Sequence, residues 1–214
     1  MIIVHHLTNS HSHVALWLLE ELGVPYDMVL HRRDPVTRRS PDTLRAIHPA
    51  AKAPTIEDNG VAIVESTGIL LYILETYGNG RLRPPPNTPE AMLFFQWLTY
   101  IEGSAKAPTM QFARLLGSGG EDAMRPLIEQ AANAALGLIH AALDGSETLV
   151  PGMFTAADIQ LGFFEELLEG FGQIDAWPNM QAHLERMRAR DGYQRAEAKG
   201  GAVDMKGLFA GLAR

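Results

Sequence analysis

Four histidines fall within nine residues near the N-terminus: His5, His6, His11 and His13 in HHLTNSHSH. Imidazoles at that density have the composition of a metal-binding tract. Their spacing argues against one. His5 and His6 are neighbours in MIIVHHL, a β-branched run that reads as a strand, so they face opposite sides. His11 and His13 flank Ser12 in a turn or helix start, where residues two apart diverge. The chain has no cysteine, and no nearby Asp completes a ligand set, so no metal is expected. The lack of cysteine also excludes disulfides, thiolate ligands and a protein-borne thiol nucleophile. Beside the histidines stand a hydroxyl and an amide, Ser10 and Asn9, at the turn between the strand and the helical run SHVALWLLEELG. Ser10 or Ser12 would equally suit a cap on that helix.

The elements around this turn can be read from periodicity. After SHVALWLLEELG, which stops at Gly23, YDMVLHR sets Tyr26, Met28 and Leu30 against Asp27, Val29 and His31, a strand with two unlike faces. Residues 41 to 47 read as a short helix. APTIEDNGVAIVES is a hairpin about Asn59-Gly60, and STGILLYILETYG is a helix with Ser66 near its start. A strand-helix-strand unit demands a parallel pair with a right-handed crossover, and the hairpin adds an antiparallel edge. RLRPPPNTPE carries three consecutive prolines and reads as a linker. Every longer segment after it has helical character. MFTAADI is the clearest helix start: Thr155 caps, Asp158 at the third helical position reaches back, and Phe154 and Ile159 form a staple. We read that as a folding signal without chemistry. The fold class is therefore α+β, with an αβ domain at 1–80, a linker at 81–90 and an all-helical domain at 91–214.

Composition narrows the classes further. A net charge of −7 argues against a nucleic-acid partner. The basic run HRRDPVTRR reads as a solvated loop. No apolar run is long enough to span a bilayer, and MIIVHHLTN lacks the pattern of a signal peptide. The expectation is a cytoplasmic protein with no membrane partner.

These motifs together resemble the cytosolic glutathione transferases, in the theta-like serine-type branch of bacteria and fungi. HPAAKAPTIEDNGVAIVESTGILLYI is similar to the family's glutathione-binding core, FTAADI to its capping box, and NSHSHVALWLLEELGVPY to its first turn and helix. The resemblance implies an N-terminal thioredoxin-like domain and a helical C-terminal domain. It also implies glutathione as co-substrate, a small hydrophobic electrophile as second substrate, and a homodimer.

Glutathione is an anionic tripeptide with one thiol. A free thiol has a pKa near 8.5, and lowering it by about two units requires roughly 2.7 kcal/mol of preference for the anion. One hydrogen bond to a charged group contributes about 1.5–3 kcal/mol, so a single aimed hydroxyl suffices. The resemblance gives that role to Ser10, with Asn9 the alternative donor and His11 beside it in the pocket. The helix start at Glu65 and Ser66 suits the γ-glutamyl end. Lys52 suits the glycine carboxylate, with Arg39 a second candidate. A cis bond between Ala53 and Pro54 is implied, leaving the Ala53 backbone to pair with the cysteinyl backbone as an added strand. His48 reads as structural. The electrophile is expected over Ser10 between the domains, against the first long helix, WLTYIEGSAKAPTMQF, with Tyr100, Pro108 and Phe112 as candidates. Two other readings stay open: a glutathione-dependent peroxidase or disulfide reductase, and a binding module that no longer uses glutathione.

Overall fold

The computed structural model describes residues 1–34, 37, 39–118 and 123–210. Pro35, Val36 and Arg38 of the basic run lie outside them. The chain divides into two compact units: Met1–Leu82 with Arg188–Asp204, and Arg83–Met187 with the described residues from Met205 onward.

In the first unit the order is β1 (Ile2–Leu7), α1 (His13–Leu22), β2 (Tyr26–His31), α2 (Asp42–Ile47), β3 (Thr55–Asp58), β4 (Val61–Val64) and α3 (Ser66–Tyr77). The sheet runs β2-β1-β3-β4. β1 pairs β2 in parallel, Val4 opposite Met28, and pairs β3 antiparallel, Val4 opposite Ile56. The hairpin turns at Asn59 (φ 50°) and Gly60 (φ 78°). Two successive positive φ values match the twist of the flanking strands. α1 stops at Gly23, whose φ of 62° lets its N–H reach the Glu20 and Leu19 carbonyls.

The alternation expected of β2 holds only in its first half. Leu30 is 44% exposed, whereas His31 is buried. β2 is an edge strand, and His31 turns inward because its Nε2 lies 3.0 Å from His5 Nδ1.

The segment Arg188–Asp204, which the sequence reading places within 91–214, contributes a helix to this first unit. We number it α9 (Asp191–Gly200). It packs on α1, and charge pins it there. Arg195 Nε is 3.2 Å from Glu20 Oε2, Lys199 pairs with Glu20, and Arg190 Nε is 2.7 Å from Glu21 Oε1. Burial pushes the Glu20 carboxyl up, but the bonds from Lys199, Tyr26 and Arg195 outweigh it and hold the pKa below the usual range.

The second unit is helical: α4 (Pro89–Tyr100), α5 (Lys106–Ser118), α6 (Arg125–Ala142), α7 (Ala156–Gly170), α8 (Pro178–Arg188, whose last residue falls to the first unit) and α10 (Met205–Ala210). The long helix expected from WLTYIEGSAKAPTMQF is interrupted. A π-helical turn at Ile101–Ala105 joins α4 to α5, with the Lys106 N–H on the Ile101 carbonyl. Pro108 has no N–H for the carbonyl four residues back and crowds it, and the widened turn falls where that conflict arises. α7 is buried on nearly all sides, as a central helix must be. It opens on the expected capping box of Thr155 and Asp158. Behind it, His183 Nδ1 lies 2.7 Å from Glu165 Oε2, and His183 Nε2 lies 3.5 Å from Asp158 Oδ1. Among the described residues, no helix is long and apolar enough to cross a membrane.

Candidate functional site

The turn from β1 into α1 carries Asn9, Ser10, His11 and Ser12. Asn9 adopts a left-handed φ of 50°, a conformation that Asn tolerates better than most residues. Its carbonyl accepts from Arg33 Nη2 at 3.0 Å, and its Oδ1 accepts the Asp204 N–H at 2.8 Å. Ser10 is buried, with Oγ 2.8 Å from Ser12 Oγ and accepting the Ser12 N–H at 3.2 Å.

Neither serine caps α1 with its side chain. Ser12, the N-cap residue, is itself in the helical region (φ −64°, ψ −15°) and makes no capping bond. Its hydroxyl turns back to the end of β1 instead. There it accepts the Leu7 N–H at 3.1 Å and lies 2.9 Å from His6 Nδ1. The turn is thus tied to the strand, and Ser10 is held by its neighbour rather than by the helix.

The second half of the site comes from α2–α3. The Ala53–Pro54 bond is cis. Lys52 Nζ is 3.7 Å from Glu65 Oε1, both side chains largely exposed. Glu65 is the N-cap of α3 with φ 76° and ψ 111°. A non-glycine residue there costs on the order of 1–3 kcal/mol and persists only where its surroundings enforce it, a condition that clusters at ligand clamps. Next to it, Ser66 is 9% exposed, and its Oγ lies 3.3 Å from His11 Nδ1, itself 9% exposed. The structure therefore joins the Ser10–His11 turn to the N-terminus of α3, where free N–H groups and the helix dipole favour an anion.

Other candidates are placed elsewhere. Arg39 is exposed in the loop before α2, its carbonyl accepting the Asp34 N–H at 3.1 Å. None of its described contacts reaches Lys52 or Ser66. In the helical unit, Tyr100, Pro108 and Phe112 are half-buried, with the Tyr100 ring edge-on to Trp97 at 5.8 Å. Burial pushes the Tyr100 phenol up. His48 Nδ1 accepts the Ala50 N–H at 3.2 Å, which ties down its own loop.

The four histidines go to four places. His5 Nε2 meets Glu57 at 2.6 Å. His6 bonds Ser12 and Gly200. His11 meets Ser66. His13 lies edge-on to Tyr193 and tilted toward Trp17, and burial drives its pKa down to about 3. Among the described residues, no group of three or more His, Asp or Glu is arranged to hold a metal. Sequence reasoning missed Ser12, His6 and Gly200 as supports of Ser10. The only signal was the juxtaposition of a strand histidine with a Ser-X-Ser turn.

Known proteins share the domain and the fold. Residues 4–85 match the model of the glutathione S-transferase N-terminal domain. Glutathione S-transferase 3 of Schizosaccharomyces pombe is 35% identical over 104 residues, 49% of this chain and 42% of that protein. Glutathione S-transferase 1 of Saccharomyces cerevisiae is 31% identical over 116 residues, 51% of this chain and 49% of that one. The chain thus spans about half the length of the curated relatives it matches. A solved glutathione S-transferase from Actinobacillus pleuropneumoniae is 25% identical and superposes with a TM-score of 0.89 over 96% of both chains. Domain, relatives and whole-chain fold point the same way: residues 4–85 match the glutathione S-transferase N-terminal domain, and the chain as a whole has the fold of a solved glutathione S-transferase.

Proposed function

We propose that the protein is a glutathione transferase. It binds glutathione on the first unit, stabilises its thiolate, and joins the sulfur to the carbon of a small hydrophobic electrophile. The observation that carries this reading is the meeting of the Ser10–His11 turn with the start of α3, through His11 and Ser66. One end of that arrangement offers a hydroxyl, and the other offers a helix N-terminus.

In this reading Ser10 donates to the sulfur, and the backbone N–H groups at Ser66 hold the γ-glutamyl carboxylate. Glu65 faces the ammonium, the Ala53 backbone pairs with the cysteinyl residue, and Lys52 neutralises the glycine carboxylate. Arg39 is a second cation for that end. Asn9 Oδ1 accepts the Asp204 N–H, which leaves its Nδ2 hydrogens as the alternative donor to the sulfur. The electrophile would lie along α4–α5, against Tyr100, Pro108 and Phe112. No metal takes part. A homodimer in the cytoplasm is the assembly and location that the family resemblance supports.

The test is direct. Purified protein is retained on immobilised glutathione, then incubated with glutathione and a panel of aryl halides, epoxides and enones. The reading expects thioether adducts, identified by mass. Retention with no adduct, but with turnover of hydroperoxides or mixed disulfides, would favour the glutathione-dependent reductase instead. Failure of both would leave a binding module.

A further inference from the structure

Behind Ser10 the first unit holds a chain of four polar groups whose hydrogens can be assigned by elimination. His6 Nε2 is 2.9 Å from the Gly200 carbonyl, which only accepts, so Nε2 carries the hydrogen. His6 is buried, and its pKa is lowered, chiefly by burial and further by His31, against the Gly200 bond that raises it. The ring is therefore neutral, and Nδ1 is an acceptor. Ser12 Oγ, 2.9 Å away, donates to it. The Leu7 carbonyl at 3.2 Å is the longer and weaker alternative. With its one hydrogen spent on His6, Ser12 Oγ can only accept at its 2.8 Å contact with Ser10 Oγ. The direction is then fixed: Ser10 donates to Ser12, Ser12 to His6, and His6 to Gly200.

This order points the Ser10 hydrogen away from a ligand. A thiolate needs that hydrogen aimed at the sulfur. If His6 gains a proton on Nδ1, the Ser10–Ser12 and Ser12–His6 bonds can both reverse without loss, while His6 Nε2 still donates to the Gly200 carbonyl. His6 then donates to Ser12, Ser12 to Ser10, and Ser10 to the sulfur. Ser12 Oγ still accepts the Leu7 N–H, and Ser10 Oγ still accepts the Ser12 N–H. No donor or acceptor of the chain is left over in either state.

We propose that this chain reverses when glutathione binds, and that His6 takes up the proton the glutathione thiol gives up. The inference rests on the glutathione reading above and deepens it. The proton balance is closed. The thiol hydrogen passes to Ser10 Oγ, that of Ser10 to Ser12 Oγ, and that of Ser12 to His6 Nδ1. The products are a thiolate and an imidazolium. Ser10 alone touches the sulfur; Ser12 and His6 are positioning residues that act through it.

Burial and His31 disfavour a charge on His6, so in this proposal the imidazolium persists only with the thiolate that the same transfer creates. The titratable groups facing it are His13 of α1, with pKa about 3, and His31 of β2, whose pKa burial and His5 lower. Both have lowered pKa values and hold no proton at pH 7, and each would lose any tendency to gain one while His6 is charged. On α9, Lys199 is already paired with Glu20. A Cβ at Gly200 would sit 3.0 Å from His6 Nε2 and 2.7 Å from Leu16 Cδ1, so the carbonyl reaches the ring because residue 200 has no side chain.

The test counts protons against thiolates. Glutathione is titrated into the protein at pH 7 by calorimetry in two buffers of different ionisation enthalpy, which gives protons released per site. Ultraviolet absorbance on the same samples gives thiolate formed per site. The wild type is expected to release fewer than half as many protons as it forms thiolates. Ser12→Ala and His6→Gln should release one proton per thiolate, and Ser12→Thr, which keeps the hydroxyl, should restore the deficit. One proton released per thiolate in the wild type would overturn the relay with no variant needed. A deficit unchanged in both broken-chain variants would assign the proton to another group and overturn it equally. Absence of any binding heat would instead strike the glutathione reading beneath it, an outcome distinct from binding with full proton release.

Discussion

Ser66 Oγ lies 3.3 Å from His11 Nδ1, across fifty-five residues of chain. That contact closes the turn after β1 onto the start of α3, and so brings a serine-bearing turn to a helix N-terminus. Neither half is distinctive alone. Together they offer an anion two kinds of stabilisation at once, a directed hydroxyl and a row of backbone N–H groups.

On the proposed reading, replacing Ser10 by Ala removes one hydrogen bond to a charged sulfur. Such a bond contributes about 1.5–3 kcal/mol, or roughly one to two pKa units. The expected result is a fall in kcat/KM of about 10- to 100-fold at pH 7, read by steady-state conjugation kinetics. The loss should shrink at high pH, where the free thiol ionises unaided.

Asn9→Ala separates the two candidate donors. The Asn9 amide oxygen is engaged by the Asp204 N–H, and its φ of 50° suits Ala less well, by about 1 kcal/mol. The variant should melt a few degrees lower while the pKa of bound glutathione stays put. Calorimetry and thiolate absorbance check the two halves.

Lys52 and Glu65 form an exposed pair, and such pairs contribute at most about 1 kcal/mol to stability. Lys52→Ala should therefore leave the melting temperature nearly unchanged. It should weaken glutathione binding several-fold, raising KM with kcat little altered. The wild-type affinity should fall with added salt more steeply than that of the variant, as titrations at two ionic strengths will show.

The buried His183 links stability to pH. Burial alone would lower its pKa, but Glu165 and Asp158 outweigh burial and raise it to about 9. A raised folded value means that the native state holds the extra proton. The His183 contribution is complete below the unfolded pKa near 6.5 and is lost as pH climbs to about 9. Glu165, whose carboxyl burial raises to about 7, adds a loss that begins at lower pH and is complete near 7. Denaturant unfolding should show stability declining over that window. His183→Gln should cost about 3 kcal/mol near pH 6 and markedly less at pH 9.

What was legible in the sequence was local. Asn59-Gly60 made the hairpin because two positive φ values favour those residues there, and Thr155 with Asp158 made the capping box because its bonds span three residues. The cis bond at Ala53–Pro54 could be expected from the family resemblance of the segment around it. What could not be read depends on distant partners. The His6–Gly200 bond spans 194 residues, and nothing near His6 announces it. The outward turn of Leu30 followed from His31 finding His5 on the next strand. The π-helical turn at Ile101–Ala105 was half-visible in Pro108, but a proline reports only a conflict, not how the backbone resolves it. The positive φ of Glu65 left no mark in its residue type.

The central claim is that Ser10 holds glutathione as its thiolate. The most direct measurement is a pH titration of bound glutathione by ultraviolet thiolate absorbance, on the wild type and on Ser10→Ala. Without cysteine, the protein contributes no thiolate of its own. The account predicts a bound pKa well below that of the free thiol, returning by about one to two units in the variant. A bound pKa equal to that of free glutathione, or a depressed one unmoved by the substitution, would contradict it.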